Sequence, residues 1–324
     1  MEGKINTSLS PKNEFKLSVS AILKKYYLLI ALLILCVVFS IASPVFITES
    51  NILNILNQVS INAILAIGVT FVILIGGIDL GLGSYVALTG CLAAFLAQTN
   101  DGIFLPLLVG ISAGLLIGFV NGLIVTKGKL AAFIVTLGMM TIARGGALVI
   151  SEGRPISNLS ESFNNIAGGK LLGIPNAIFI ALFVFLIAHF ILKKTIFGRY
   201  VYAVGGNEEA SRASGIKINN IKMYVYILCG ALAGLAGVIQ ASRITSGQPS
   251  IGVGYELDAI AAAVIGGTSL SGGTGMVTGT IIGALIIGVI NNGLDLLNVP
   301  SYYQQIIKGL IIIGALLLDR KTSK

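Results

Sequence analysis

The sequence predicts an all-α integral membrane protein of about ten transmembrane helices, with both termini cytoplasmic. Three observations carry that prediction. Charged residues make up 10% of the 324 and hydrophobic residues 55%, whereas soluble domains carry about 25% charged residues. Apolar runs of near-span length recur along the chain. Basic residues gather on alternate connections between those runs. A soluble globule of this size has too little interior to hide so much apolar surface, so part of the solvent must be lipid. The 41 glycines fall within the apolar runs without a collagen period, which fits membrane helices packed closely on one another.

Residues 1–25 are polar, end in Lys24-Lys25 and lack a small-residue cleavage site. They read as an uncleaved cytoplasmic tail rather than a signal peptide. Apolar runs follow at about 26–43, 58–75, 80–98, 104–124, 130–150, 176–192, 221–241, 257–267, 276–293 and 302–318. A bilayer core needs about 20 apolar residues per helix, so most of these qualify as spans. The run at 257–267 is short and merges into Gly266-Gly267-Thr268-Ser269-Leu270-Ser271-Gly272-Gly273. Glycine-broken helices of this kind occur where backbone lines a cavity or is buried in protein. The plan is therefore a tail at 1–25, a transmembrane domain at 26–318 with a long connection at 193–220, and a short tail at 319–324. With the N-terminus inside, sixteen of the 21 lysines and arginines face the cytoplasm, as the positive-inside bias requires. The net charge of +8 belongs to that bias and implies no nucleic acid partner. Cys36, Cys91 and Cys229 each stand alone in an apolar run and read as small core residues.

Two glycine ridges stand out. Gly110, Gly114, Gly118 and Gly122 recur every fourth residue, and so do Gly275, Gly279 and Gly283. Each ridge lies on one helix face and lets a neighbouring backbone approach. Packing within one subunit is the plainer reading, and a dimer interface is the sharper one.

Catalytic signatures are missing. No phosphate loop occurs, since Gly128-Lys129 is followed by Leu130, so this chain is expected not to bind ATP by itself and to hold no metal. No nucleophile, metal box or carboxylate relay rises above background, and the lone His189 reads as a packed or interfacial residue. Candidate path residues for a hydrated solute are Asn57, Asn62, Asn291 and Asn292, because amides both donate and accept hydrogen bonds. Such amides serve equally as interhelical glue. Asp79 joins them with two readings left level, an intramembrane functional carboxylate or a helix N-cap. Arg144 and Lys308 lie near span ends, where snorkelling is the plainer reading and a functional intramembrane charge the other.

The connection at 193–220 carries local structure of its own. Gly205-Gly206 interrupts the chain and Asn207 is a good N-cap. Glu208 and Glu209 place negative charge in a first turn, Ala210 to Ser214 complete two turns, and Gly215 supplies the stop. The helix 207–214 is too short to be stable alone, which predicts that something holds it.

The segment Gly205-Gly206-Asn207-Glu208-Glu209-Ala210-Ser211-Arg212-Ala213-Ser214-Gly215-Ile216 resembles the coupling helix of the ribose, galactose and xylose permeases of ABC importers. Gly76-Gly77-Ile78-Asp79-Leu80-Gly81-Leu82-Gly83-Ser84 is similar to a second signature of that family, departing from it at Gly81 and Leu82. Residues 254–273, Asn291-Asn292-Gly293-Leu294 and Ser301-Tyr302-Tyr303-Gln304 also match. The likeness runs from about Leu29 to Leu318 and is closest to the ribose type. It implies a type II importer permease working as a homodimer in the bacterial inner membrane. It also implies ATP-binding cassette subunits engaging Asn207, Glu208, Glu209, Ala210, Arg212, Ala213, Ser214 and Gly215, and an extracytoplasmic sugar-binding protein on the other side. A stand-alone secondary sugar carrier is the alternative, opposed by the capped helix and the lack of a carboxylate relay. A passive channel and a membrane-embedded enzyme have less in the sequence to support them.

Overall fold

The computed structural model describes residues 11–322. The first ten and last two residues, with Lys4 and Lys324 of the two tails, lie outside them. The described elements run α1 (Pro11–Ala42), α2 (Glu49–Leu74), α3 (Leu82–Ala97), α4 (Phe104–Lys127), α5 (Ala132–Ser151) and α6 (Glu161–Asn164). After β1 (Lys170–Leu171) and β2 (Ile174–Pro175) come α7 (Asn176–Lys194), α8 (Ile196–Gly206), α9 (Glu208–Ala213), α10 (Ile218–Arg243), α11 (Tyr255–Ile265), α12 (Val277–Leu296) and α13 (Ser301–Thr322). Each apolar run of the sequence is covered by one helix, with ends displaced by a few residues except at the N-terminal ends of α1 and α2, which reach well ahead of their runs. Among the described residues, α2, α4, α5, α7, α10 and α12 are long and apolar enough to cross a membrane. Within the described residues, α1 already runs from Pro11, well inside the segment read as a polar tail.

The core is the helix α2. Its residues from Val59 to Leu74 are buried on every side, walled by α7, α10, α11 and α12. A helix that is apolar all round can be stable only inside other protein or lipid. The outer helices reverse the soluble pattern: Phe183, Leu186 and Phe190 of α7 and Ile142 and Val149 of α5 lie exposed, which is the surface a hydrocarbon solvent favours.

The glycines decide how closely the walls approach. A methyl group on Gly114 would land on the carbonyl oxygen of Gly230, and one on Gly118 on that of Tyr226. Gly110 meets Val238 and Gly122 meets Met223, so the whole first ridge seats α4 against α10 within the chain. In the second set, Gly279 and Gly283 lie against the carbonyls of Gly266 and Ala262, seating α12 on α11. Gly275 is not on that helix face. It precedes α12 with φ 152°, because the chain must turn out of the break beside Thr268.

At about 1.5 Å per residue, the 11 residues of α11 reach roughly half of a ~30 Å hydrocarbon core. The chain then turns through residues 266–276, with Gly267, Gly272 and Gly273 in left-handed conformations, before α12 starts back. At the opposite end of the bundle, β1 and β2 form a two-residue antiparallel hairpin. Its turn residues Leu172 and Gly173 both have positive φ, matching the twist of a tight hairpin.

Candidate functional site

The helix α9 stands at one end of the bundle and is closed at both ends by its own sequence. The Asn207 side chain accepts from the Ala210 N–H at 2.9 Å. Gly215, at φ 80°, donates its N–H to the Arg212 carbonyl, and Ile216 donates to that of Ser211. This pair of bonds is a Schellman closure, which needs a left-handed residue at Gly215.

The chain holds this helix itself. Glu208 accepts from Lys222 of α10 at 2.6 Å and from Arg212 at 3.2 Å, while Ser211 is buried. The Lys222 ammonium bonded to Glu208 draws its carboxyl below the ordinary glutamate range. The pair therefore contributes at neutral pH and is lost as the pH falls through that lowered value. Being half-exposed, it adds no more than about 1 kcal/mol. Part of the support that so short a helix requires is thus supplied by the chain itself, through its caps, the two ion pairs of Glu208 and the burial of Ser211. Glu209, Ala210, Arg212, Ala213 and Ser214 remain exposed.

The approach to α9 also differs from the expected break. Gly205 and Gly206 do not interrupt the chain but form the last turn of α8. Helical periodicity in this short segment is masked by its glycines, whose purpose is contact. A methyl group on Gly205 would strike the carbonyl of Leu74, and the Gly273 N–H donates to that same carbonyl at 2.9 Å. The Tyr202 hydroxyl donates to the Gly275 carbonyl at 2.8 Å. Through α8, the exposed α9 is joined to the break between α11 and α12 and to the end of α2.

The five candidate path residues do not form one site. Asp79 is buried and accepts from the Gly81 N–H at 2.9 Å. It does not cap α3, whose cap position is Gly81 with no side-chain bond. Tyr85 bonds to Asp79, Asn121 donates to the Tyr85 hydroxyl at 2.8 Å, and Thr136 bridges Ile78 and Leu80. Asp79 is thus part of a lock on the turn between α2 and α3. Asn292 exchanges two amide hydrogen bonds with Asn51, at 2.9 and 3.0 Å, and ties α12 to α2. Asn57 lines a separate cleft near the hairpin, beside Lys170. Only Asn62 and Asn291 share a cavity, of about 160 Å³, at the end of the bundle opposite α9.

The two charges read as snorkelling are paired instead. Arg144 donates to the carbonyls of Pro249 and Ile251, at 2.5 and 2.8 Å, and pins the segment after α10. Lys308 lies 2.9 Å from the buried Asp258. A buried carboxylate needs a partner, and nothing local in the sequence links positions fifty residues apart.

Comparison with known proteins bears on the whole chain. The family model described as branched-chain amino acid transport system / permease component matches residues 51–316. The chain is 53% identical over 294 residues to the ribose import permease protein of Haemophilus influenzae, covering 90% of this chain and 91% of the relative. It is 50% identical over 297 residues to that of Escherichia coli K12, covering 90% and 92%. With the D-allose transport system permease protein of the same strain, identity is 40% over 302 residues, 93% of each chain. No solved structure matches it.

Proposed function

The chain belongs to the ribose-type permeases of ATP-driven sugar importers, multi-pass transport subunits of the bacterial inner membrane, and on that premise we propose that it conducts ribose inward, driven by cassette subunits that grip α9. The observation that carries the coupling role is the construction of α9. Both its ends are capped, one side is fixed by Lys222 and Ser211, the other side is open, and α8 ties it to the helix break. ATP and magnesium act on the cassette, and an extracytoplasmic binding protein delivers the sugar. Ribose is favoured because the ribose permeases stand at 53% and 50% identity against 40% for the allose permease.

The mechanical reading is direct. Closure of the cassettes on ATP displaces α9, and α8 carries that displacement to residues 266–276, where left-handed glycines let the backbone change direction with little strain. Two copies form the path between them in this reading. Asn292 and Asp79, both engaged in structural bonds, are dropped from it. The deciding experiment is purification of the chain with a cassette subunit, followed by ATPase assay in proteoliposomes. Turnover should rise when ribose and its binding protein are added together. A chain that accumulates sugar without any cassette, and loses that uptake to an ionophore, would be a secondary carrier instead.

The same reading has ten spans, with α9 and both termini in the cytoplasm. It rests on sixteen of the 21 basic residues lying on that side. A cysteine placed at Ser214, which is exposed just after α9, should react with a membrane-impermeant maleimide only in inside-out vesicles. Labelling in intact spheroplasts would reverse the orientation.

A further inference from the structure

The cavity opposite α9 is walled by α2, α10, α11, α12 and α13 of one chain, and many of its polar groups are unpartnered. Among the described residues Gln58, Asn62, Arg243, Tyr255 and Asn291 line it without a side-chain hydrogen bond, although Asn62 is 9% exposed. The carbonyl oxygen of the Asn291 amide is fully buried and has no partner at all. A buried polar atom without a partner is costly, so the orphaned Asn291 carbonyl oxygen, beside four further side chains without a hydrogen bond, marks a site that expects donors and acceptors from outside the chain. A cavity of about 160 Å³ is larger than the ~30 Å³ one water occupies, so it has room for a solute of several polar atoms.

The charges say which kind. Arg243 and Lys308 are matched by Asp258 and Asp295, so the four formal charges cancel. Two contacts are already made, Lys308 with Asp258 at 2.9 Å and Asp295 with Gln304 at 2.8 Å. A site with no net charge and several amides suits neither an anion nor a cation. It suits a neutral ligand dense in hydroxyls, each able to donate to one amide and accept from another. A single aromatic ring, Tyr255, stands in the wall.

We propose that this cavity is a low-affinity sugar site internal to each subunit, which receives the neutral sugar at the end of the bundle opposite the coupling helix before it passes into the path. The inference rests on the sugar-importer reading and deepens it. Low affinity follows from the single ring and from groups already committed to one another. A tight site there would retain the cargo.

The chain contains no tryptophan, so a Tyr255→Trp variant of the full-length chain in nanodiscs carries one emitter placed in the wall of the cavity. Titration with ribose should give a saturable change in emission. Adding Asn62→Leu should weaken half-saturation about tenfold, and ribose 5-phosphate should give no saturable response. A second measurement does not depend on tryptophan being tolerated. In Gln58→Cys, ribose should slow reaction with a small maleimide, while the same concentration of ribose 5-phosphate should not. The site is overturned if ribose neither shifts emission nor protects the thiol introduced by Gln58→Cys, or if the phosphate ester acts as well as the sugar. Ribose-driven uptake by the wild-type chain with its cassette and binding protein is measured alongside. Uptake without binding in the cavity sinks this inference alone, whereas absence of wild-type uptake sinks the importer reading.

Discussion

Ala213→Asp should abolish ribose uptake while leaving the chain folded and inserted. Ala213 is exposed at the end of α9, so within the subunit the new carboxylate stays in water. Its local cost is an acidic group at a helix C-terminus, about 0.3–1 kcal/mol. In a dry contact with a cassette subunit the same charge costs several kcal/mol, enough to break capture of the ATPase. Ala213→Lys separates the two effects. Lysine is favoured at a helix C-terminus, yet its charge is as hard to bury in the contact. Both variants should therefore fail in uptake and in co-purification of the cassette, with an unchanged melting temperature for the permease alone. Failure of the aspartate variant only would trace the defect to the helix itself. Wild-type uptake in both would remove α9 from the coupling machinery.

Gly114→Val should prevent accumulation of folded permease. The first carbon of the new side chain falls on the Gly230 carbonyl and crowds the backbone of Gly234. Backbone cannot yield as a flexible side chain does, so α4 must move off α10 along its length. Overpacking in a well-formed core costs about 1–3 kcal/mol, and this position sits at or above the top of that range. The readout is the monodisperse fraction after detergent extraction and its melting temperature. Gly138→Ala and Gly145→Ala on α5 are the contrast, because nothing in the chain lies within 4 Å of a methyl group at either place. Their melting temperatures should match wild type. Loss of folded protein in the α5 variants, or its retention in Gly114→Val, would contradict the packing described for the glycine ridge.

Local rules make much of the molecule legible in its sequence. The caps of α9 follow from Asn207 and Gly215 because each acts on backbone groups within four residues of itself. The short α11 follows from glycines that interrupt an apolar run. The helix α8 is hidden because Gly205 and Gly206 look like a break when read locally. Only the carbonyl of Leu74, far off in sequence, explains why a helix should carry them.

By itself, then, the sequence determined a helical membrane protein, the places of its apolar helices, the broken helix and a capped helix near 207–214. These depend on hydropathy and near-neighbour chemistry, which are properties of short stretches of chain. The tertiary structure alone decided which neighbour each feature would meet. It set the first glycine ridge on α10, paired Lys308 with Asp258, joined Asn292 to Asn51, placed Asp79 in a turn, and brought Asn62 and Asn291 to one cavity. Periodicity names the face of a helix and amide chemistry names a capacity to bond. Neither specifies a partner, because the partner is chosen by the packing of segments tens to hundreds of residues apart.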